Sequence, residues 1–233
     1  MRGKLIIIES GSDASGKATQ TERLFKRLTD ENYKVKKITF PDYKSDSSAL
    51  VKMYLNGDFG KEPGDVNPYV ASTFYAVDRF ASYKTKWGEN YQNGEIILAD
   101  RYTTSNMVHQ AAKIQDLAEK DAFLEWLWDF EFNMYKLPVP DCVFFLDMPP
   151  KYSRMLMEKR MNKITGEEEK DIHERNYKYL EDSYNNSLYI AKKYNWLRVD
   201  CIKGGNVRTV EDIHEIIYNK LIETIKANNK SKR

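Results

Sequence analysis

One stretch constrains the fold more than any other: GSDASGK at positions 11–17, preceded at once by the apolar run KLIIIES and followed at once by a helical pattern. Glycine at Gly11 and Gly16 lets successive backbone N–H groups turn inward around phosphate oxygens. The helix N-terminus behind them adds its positive dipole, and Lys17 supplies a point charge. The helix has its own support, because Leu24, Phe25 and Leu28 share one apolar face. Gly11, Ser12, Ala14, Ser15, Gly16, Lys17, Ala18 and Thr19 are therefore the candidate cradle for the phosphates of a nucleotide. One position departs from the usual pattern. Ala18 stands where a hydroxyl normally holds Mg²⁺, and Thr19 lies about 100° further round the helix. A metal would have to rest on phosphates, waters and a carboxylate elsewhere.

The same alternation of strand and helix continues along the chain. Apolar, often β-branched runs predict strands at Lys4–Ser10, Lys34–Phe40, Glu95–Asp100, Asp141–Asp147 and Trp196–Asp200. Helical patterns fall at roughly 17–30, 69–90, 103–115, 119–136, 150–161, 172–194 and 210–227. This order predicts an α/β protein with the P-loop NTPase fold, a five-stranded mostly parallel sheet flanked by helices on both faces. At 233 residues, 41% of them hydrophobic, the chain suffices for one domain spanning 1–233, and no linker or repeat divides it. A net charge of +2 gives no field to attract nucleic acid or an anionic membrane, so small molecules are the expected partners. Cys142 and Cys201 form neither a disulfide framework nor a metal cluster. The apolar stretch Leu5–Ile8 is too short for a signal or a membrane span, so a cytoplasmic location is expected. Residues 158–175 are densely charged with few apolar anchors, which predicts a mobile lid.

A second cluster of chemistry lies at IILADRY, residues 96–102. An apolar strand there delivers Asp100 and Arg101 to its C-terminal end, the edge where parallel sheets bind ligands. The aspartate suits Mg²⁺-bound water and the arginine suits bidentate phosphate, although such a pair can also simply cap a strand. The second strand ends in FPDY, which would bring Phe40 and Tyr43 beside the phosphate loop. Asp147 is a rival metal residue, or the cap of the helix that follows. Tyr75 and Arg79 stand four apart on one helix face, suited to stacking and hydrogen-bonding a base, or to plain core packing.

Taken together, GSDASGKATQ, FPDY, FYAVDRF, DRYTTSN and the charged segment ending KDIHE resemble the thymidylate kinase family, in the family's order and over nearly the whole chain. The resemblance implies transfer of phosphate from ATP to dTMP with Mg²⁺, and a homodimer packed through helices. It implies that Lys17 and its loop hold ATP, that Asp13 faces the acceptor, and that Asp100 lies near the metal. It places Arg101 on the acceptor phosphate, Arg79 with Tyr75 on the base, and Ser105 and Asn106 at the pyrimidine edge. Ala14 stands where some members carry arginine, so Arg160, Lys163 or Lys170 of the lid becomes the candidate cation for the transferring phosphoryl group. His109 and His173, the latter next to Glu174, fall where members often place tyrosine near the sugar, which suggests shifted sugar selectivity.

Two other readings remain at this stage. A deoxynucleoside kinase would use a similar fold but needs a carboxylate base near the end of the second strand, a role Asp42 could take. A nucleotide-binding protein without turnover is favoured by Ala18 alone, and no NKxD base reader is present.

Overall fold

The computed structural model describes residues 2–12, 14–161 and 176–230, the side chains of 158–161 and 227–230 excepted. In chain order the elements are β1 (Lys4–Glu9), the phosphate loop, α1 (Lys17–Asp30), β2 (Val35–Thr39), α2 (Ala49–Asn56), α3 (Pro68–Ser82), α4 (Gly88–Gln92) and β3 (Ile96–Asp100). Then come α5 (Thr103–His109), α6 (Leu117–Trp128), β4 (Cys142–Asp147), α7 (Pro150–Met161) and α8 (Tyr177–Lys193). The chain closes with β5 (Leu197–Asp200), a short hairpin of β6 (Ile202–Lys203) and β7 (Asn206–Val207), and α9 (Val210–Lys230). Strands β1 to β5 form one sheet in the order β2-β3-β1-β4-β5 with every pairing parallel. This is the predicted sheet.

Alternation along β1 divides the core in two. Leu5 and Ile7 point to a face covered by Trp87, Phe123, Leu124, Leu127 and Ile190. Ile6 and Ile8 point to the other, covered by Leu24 and Leu28 of α1 and by Ile213, Ile217 and Leu221 of α9. A strand buried on both faces must be apolar at every position, which is why KLIII carries no polar alternation. In the register Ile8 stands opposite Asp100 on one side and Phe144 on the other, so β1 and β3 end within a residue of each other while β4 runs on to Asp147. The chain passes from β1 out to β2 and later back across to β4. The crevice at that reversal is where a sheet of this kind binds its ligands.

Two differences from the periodicity matter. The predicted helices 69–90 and 119–136 each contain a π turn, at Tyr83–Trp87 and at Asp129–Met134. The extra residue in each turn rotates the following side chains, driving Trp87 fully into the core and turning Glu131 and Phe132 inward. Helix α2 was not marked by the pattern at all. Its Val51, Tyr54 and Leu55 pack on Val66 and Ala71 as a small separate cluster, with Gly57 in the left-handed region as its stop.

Candidate functional site

The phosphate loop is built as its sequence requires. Gly16 takes φ 91 at the helix N-cap, a conformation natural to glycine, and Ala14 takes φ 53. Gly11 is needed for a different reason: a Cβ there would lie 2.2 Å from Ser187 Oγ and 2.9 Å from the Tyr184 Cα of helix α8. Ser12 Oγ ties the loop to the Met148 carbonyl at 2.8 Å. Ser10 Oγ lies 2.7 Å from Ser15 Oγ. Lys17 Nζ donates to Ser10 Oγ at 2.7 Å and to the Ser12 carbonyl at 3.1 Å, so the ammonium is held over the loop. Ala18 and Thr19 both lie exposed on the outer side of α1.

Beside the loop, a cavity of about 320 Å³ opens at the C-terminal edge of the sheet. It collects Phe40, Tyr43, Tyr75, Arg79, Asp100, Arg101, Ser105, Asn106 and His109, residues drawn from β2, α3, β3 and α5 that the sequence had singled out. Thr39, Pro41, Leu55, Tyr102, Gln110, Tyr179 and Leu180 complete the wall, and none of these was a candidate on sequence grounds. Arg101 leaves β3 at φ 67, outside the usual range for a side-chain-bearing residue, while its N–H still bonds the Ile8 carbonyl at 3.2 Å. That turn aims the guanidinium along the cavity. Its Nη1 lies 3.2 Å from His109 Nε2. A guanidinium can only donate, so in this contact His109 accepts through Nε2.

The far end of the cavity is organised by Glu131, which sequence reasoning missed. Arg79 and Glu131 are 1% and 0% exposed and meet in a two-pronged ion pair, Nε to Oε2 at 2.7 Å and Nη2 to Oε1 at 2.5 Å. Thr103 Oγ1 adds a bond to Oε2 at 2.6 Å. Asn106 Nδ2 donates to the Ser72 carbonyl at 3.2 Å and lies 3.5 Å from Glu131 Oε1. The only sequence signal for Glu131 is that it is one of two acids, with Asp129, in the aromatic-rich run WLWDFEF, where burial would demand a partner. Nearby, burial pushes the Tyr102 hydroxyl well above its ordinary pKa, and it donates to the Pro138 carbonyl at 3.1 Å. Glu9, also fully buried, holds the start of α5 to the phosphate loop. It accepts from Ser10 N–H at 3.0 Å, Thr104 Oγ1 at 2.7 Å and Ser105 Oγ at 2.6 Å. At this end the charge of Arg79 is matched inside the protein by Glu131, and at the other end Arg101 meets His109.

Other candidates fall elsewhere. Asp147 accepts from Tyr184 Oη at 2.8 Å and from Arg198 Nε at 2.7 Å, so its carboxylate is bound into the β4–β5 edge rather than capping α7. Asp42 pairs with Lys86, and Pro41 and Tyr43, not Asp42, line the cavity. Asp13, Lys163, Lys170, His173, Glu174 and the side chain of Arg160 lie outside the described residues.

A family model described as thymidylate kinase matches residues 8–213. Thymidylate kinase of Schizosaccharomyces pombe is 25% identical over 224 residues, covering 91% of this chain and 97% of that protein. A probable thymidylate kinase of Thermococcus kodakarensis is 24% identical over 225 residues, covering 95% and 97%. The solved structure of thymidylate kinase from Candida albicans matches with a TM-score of 0.68 at 24% identity, covering 97% of this chain and 93% of that one, and supports the fold. The family match runs from the last residues of β1 through both walls of the cavity to the start of α9, and the chain belongs to the thymidylate kinase family of nucleoside-monophosphate kinases.

Proposed function

We propose that the chain, acting as one domain, transfers the γ-phosphoryl group of ATP to the phosphate of dTMP, giving dTDP and ADP. The observation that carries this reading is the polarity of the cavity. A pyrimidine base fits its neutral, aromatic-walled end, between Tyr75 and the Arg79–Glu131–Asn106 floor. The monophosphate then lies toward Arg101 and the phosphate loop, where cationic groups meet the sheet edge.

In the reaction, an oxygen of the dTMP phosphate attacks the γ-phosphorus of ATP in line. The bond to the ADP oxygen breaks, and its electron pair leaves with ADP. A phosphate oxygen is already a competent nucleophile, so positioning and charge neutralisation carry the rate and no strong general base is needed. Arg101 orients the acceptor phosphate, and Lys17 with the loop N–H groups holds the donor. Asp13 and the lid cations, Arg160 among them, complete this reading on the family's pattern.

The donor set fits Mg²⁺. Asp100 offers a hard carboxylate oxygen at the sheet edge, Ala18 offers nothing, and no cluster of three His, Cys, Asp or Glu side chains exists among the described residues. Mg²⁺ commonly binds through one or two carboxylates with substrate phosphates and waters, and when bound it would neutralise charge on the transferring phosphoryl group.

Two broader features belong to the same reading. Burial pushes the Cys142 and Cys201 thiols up to about 12, which keeps them unreactive and fits a cytoplasmic, reducing setting. No helix among the described residues is long and apolar enough to cross a membrane. A homodimer is supported by α3, which leaves Val70, Val77 and Phe80 exposed on one stripe of its surface.

A coupled ADP-release assay with ATP, Mg²⁺, a panel of nucleoside monophosphates and free nucleosides tests the proposal. Turnover with dTMP and not with thymidine is expected. Turnover restricted to free nucleosides would move the chain to the deoxynucleoside kinases, a reading that the Asp42–Lys86 pairing disfavours. Strict preference for dTMP over dUMP, UMP and dGMP would remove the suggestion that His109 and His173 shift selectivity.

A further inference from the structure

Glu131 sits on the π turn after α6, and its partners at the cavity floor all donate: Arg79, Thr103 and, at longer reach, Asn106. An ionised carboxylate only accepts. The Asn106 amide therefore stands between two acceptors, Glu131 Oε1 and the Ser72 carbonyl, and must present its NH₂ group to them. Its Oδ1 is the polar atom left to meet a ligand. Arg79 has Nε and Nη2 engaged by the carboxylate and Nη1 donating to the Tyr102 carbonyl at 3.4 Å, which fixes the plane of the guanidinium and the direction of the N–H groups left over.

The floor thus sets a fixed donor beside a fixed acceptor. A base edge with a carbonyl next to a ring N–H, as in thymine or uracil, complements that order. Cytosine presents the reverse, an amino donor next to a ring-nitrogen acceptor. We propose that Glu131 is a positioning residue that determines base specificity, by locking the donor–acceptor polarity of Arg79 and Asn106 against cytosine. This rests on the reading that the cavity takes the base of a nucleoside monophosphate at its Arg79 end. The same carboxylate cancels the charge of Arg79, so the acceptor's phosphate is drawn to Arg101 rather than to the floor.

Glu131→Gln is the direct test. A glutamine must turn its NH₂ toward donors on one side or the other, which breaks the fixed order while keeping the volume. The readout is the ratio of kcat/KM for dTMP to that for dCMP. Because both values come from one preparation, the ratio does not depend on how much of it is folded. The ratio is expected to fall about tenfold or more, equivalent to losing about one hydrogen bond of discrimination, mainly through KM. A variant with lowered Tm and an unchanged ratio would show that Glu131 is only structural, and would overturn the inference while leaving the substrate reading intact. Wild-type enzyme that fails to favour dTMP over dCMP would overturn both. If E131Q does not fold, R79Q/E131Q compared with R79Q carries the test, since both partners of the buried pair are then neutral. A further fall in the double variant supports the inference, and equal ratios overturn it.

Discussion

Arg101 shows how one residue joins backbone geometry to chemistry. Its left-handed φ of 67 costs on the order of 1–3 kcal/mol and is held by the N–H bond to Ile8 and by the apolar packing of Tyr102 beneath it. The conformation puts a cation at the cavity's polar end. Arg101→Ala should raise KM for dTMP by about 10- to 100-fold, the worth of a charge-assisted hydrogen bond, with little change in Tm. Unchanged KM would remove the arginine from the acceptor site. Lys113 is a second single-residue case. Its Nζ donates to Tyr54 Oη at 2.8 Å and to the Val66 carbonyl at 3.1 Å, fastening α2 to the segment before α3. Burial brings its pKa down to about 7, against 10.5 in the unfolded chain. Between those values the unfolded state binds more protons, so the contribution of Lys113 to stability rises with pH. Relative to Lys113→Met, wild type should gain about 2 kcal/mol of unfolding free energy from pH 7 to pH 9, measured with denaturant. A difference that does not change with pH would mean that the ammonium is solvated after all.

At the scale of elements, the strand–loop–helix unit and its neighbours were legible because local physics fixes them. Glycines with positive φ, a buried strand and the apolar stripe of α1 are all written in adjacent residues. Asn67, Asp116 and Asn176 each accept from a backbone N–H in the first turn of α3, α6 and α8, although the sequence patterns place the starts of the last two at about 119 and 172. Helix α2 and the π turns were not legible. An eight-residue helix offers too few periods to register, and a π turn needs one extra residue that only neighbouring packing rewards. The contact of the phosphate loop with α8 is also beyond local reading, as it joins Gly11 to Ser187 across the chain. Gly11→Ala should push α8 away from the loop, lowering Tm by several degrees and weakening ATP binding together, as measured by thermal melts and titration. Normal ATP affinity in a variant with lowered Tm would separate the loop's shape from its packing.

For the whole molecule, the parallel sheet brings to one edge groups that are distant in sequence: Lys17, Phe40, Arg79, Arg101 and Asn106. The exposed stripe on α3 extends this logic beyond one chain. Val77→Arg should shift a dimer toward monomer in light scattering, whereas a wild-type monomer at every concentration would end the homodimer proposal. By itself the sequence determined the order of strands and helices, the phosphate loop and most of the residues around the cavity. These depend on periodicity, glycine conformation and the rule that parallel strands present ligands at their C-terminal ends. Only the tertiary structure decided which charges are already satisfied. Asp147 went to Arg198 and Asp42 to Lys86 at partly exposed positions, and Arg79 to Glu131 in the low-dielectric core, because pairing depends on which side chains the fold brings together, and nothing in the spacing of residues 79 and 131 records that they do.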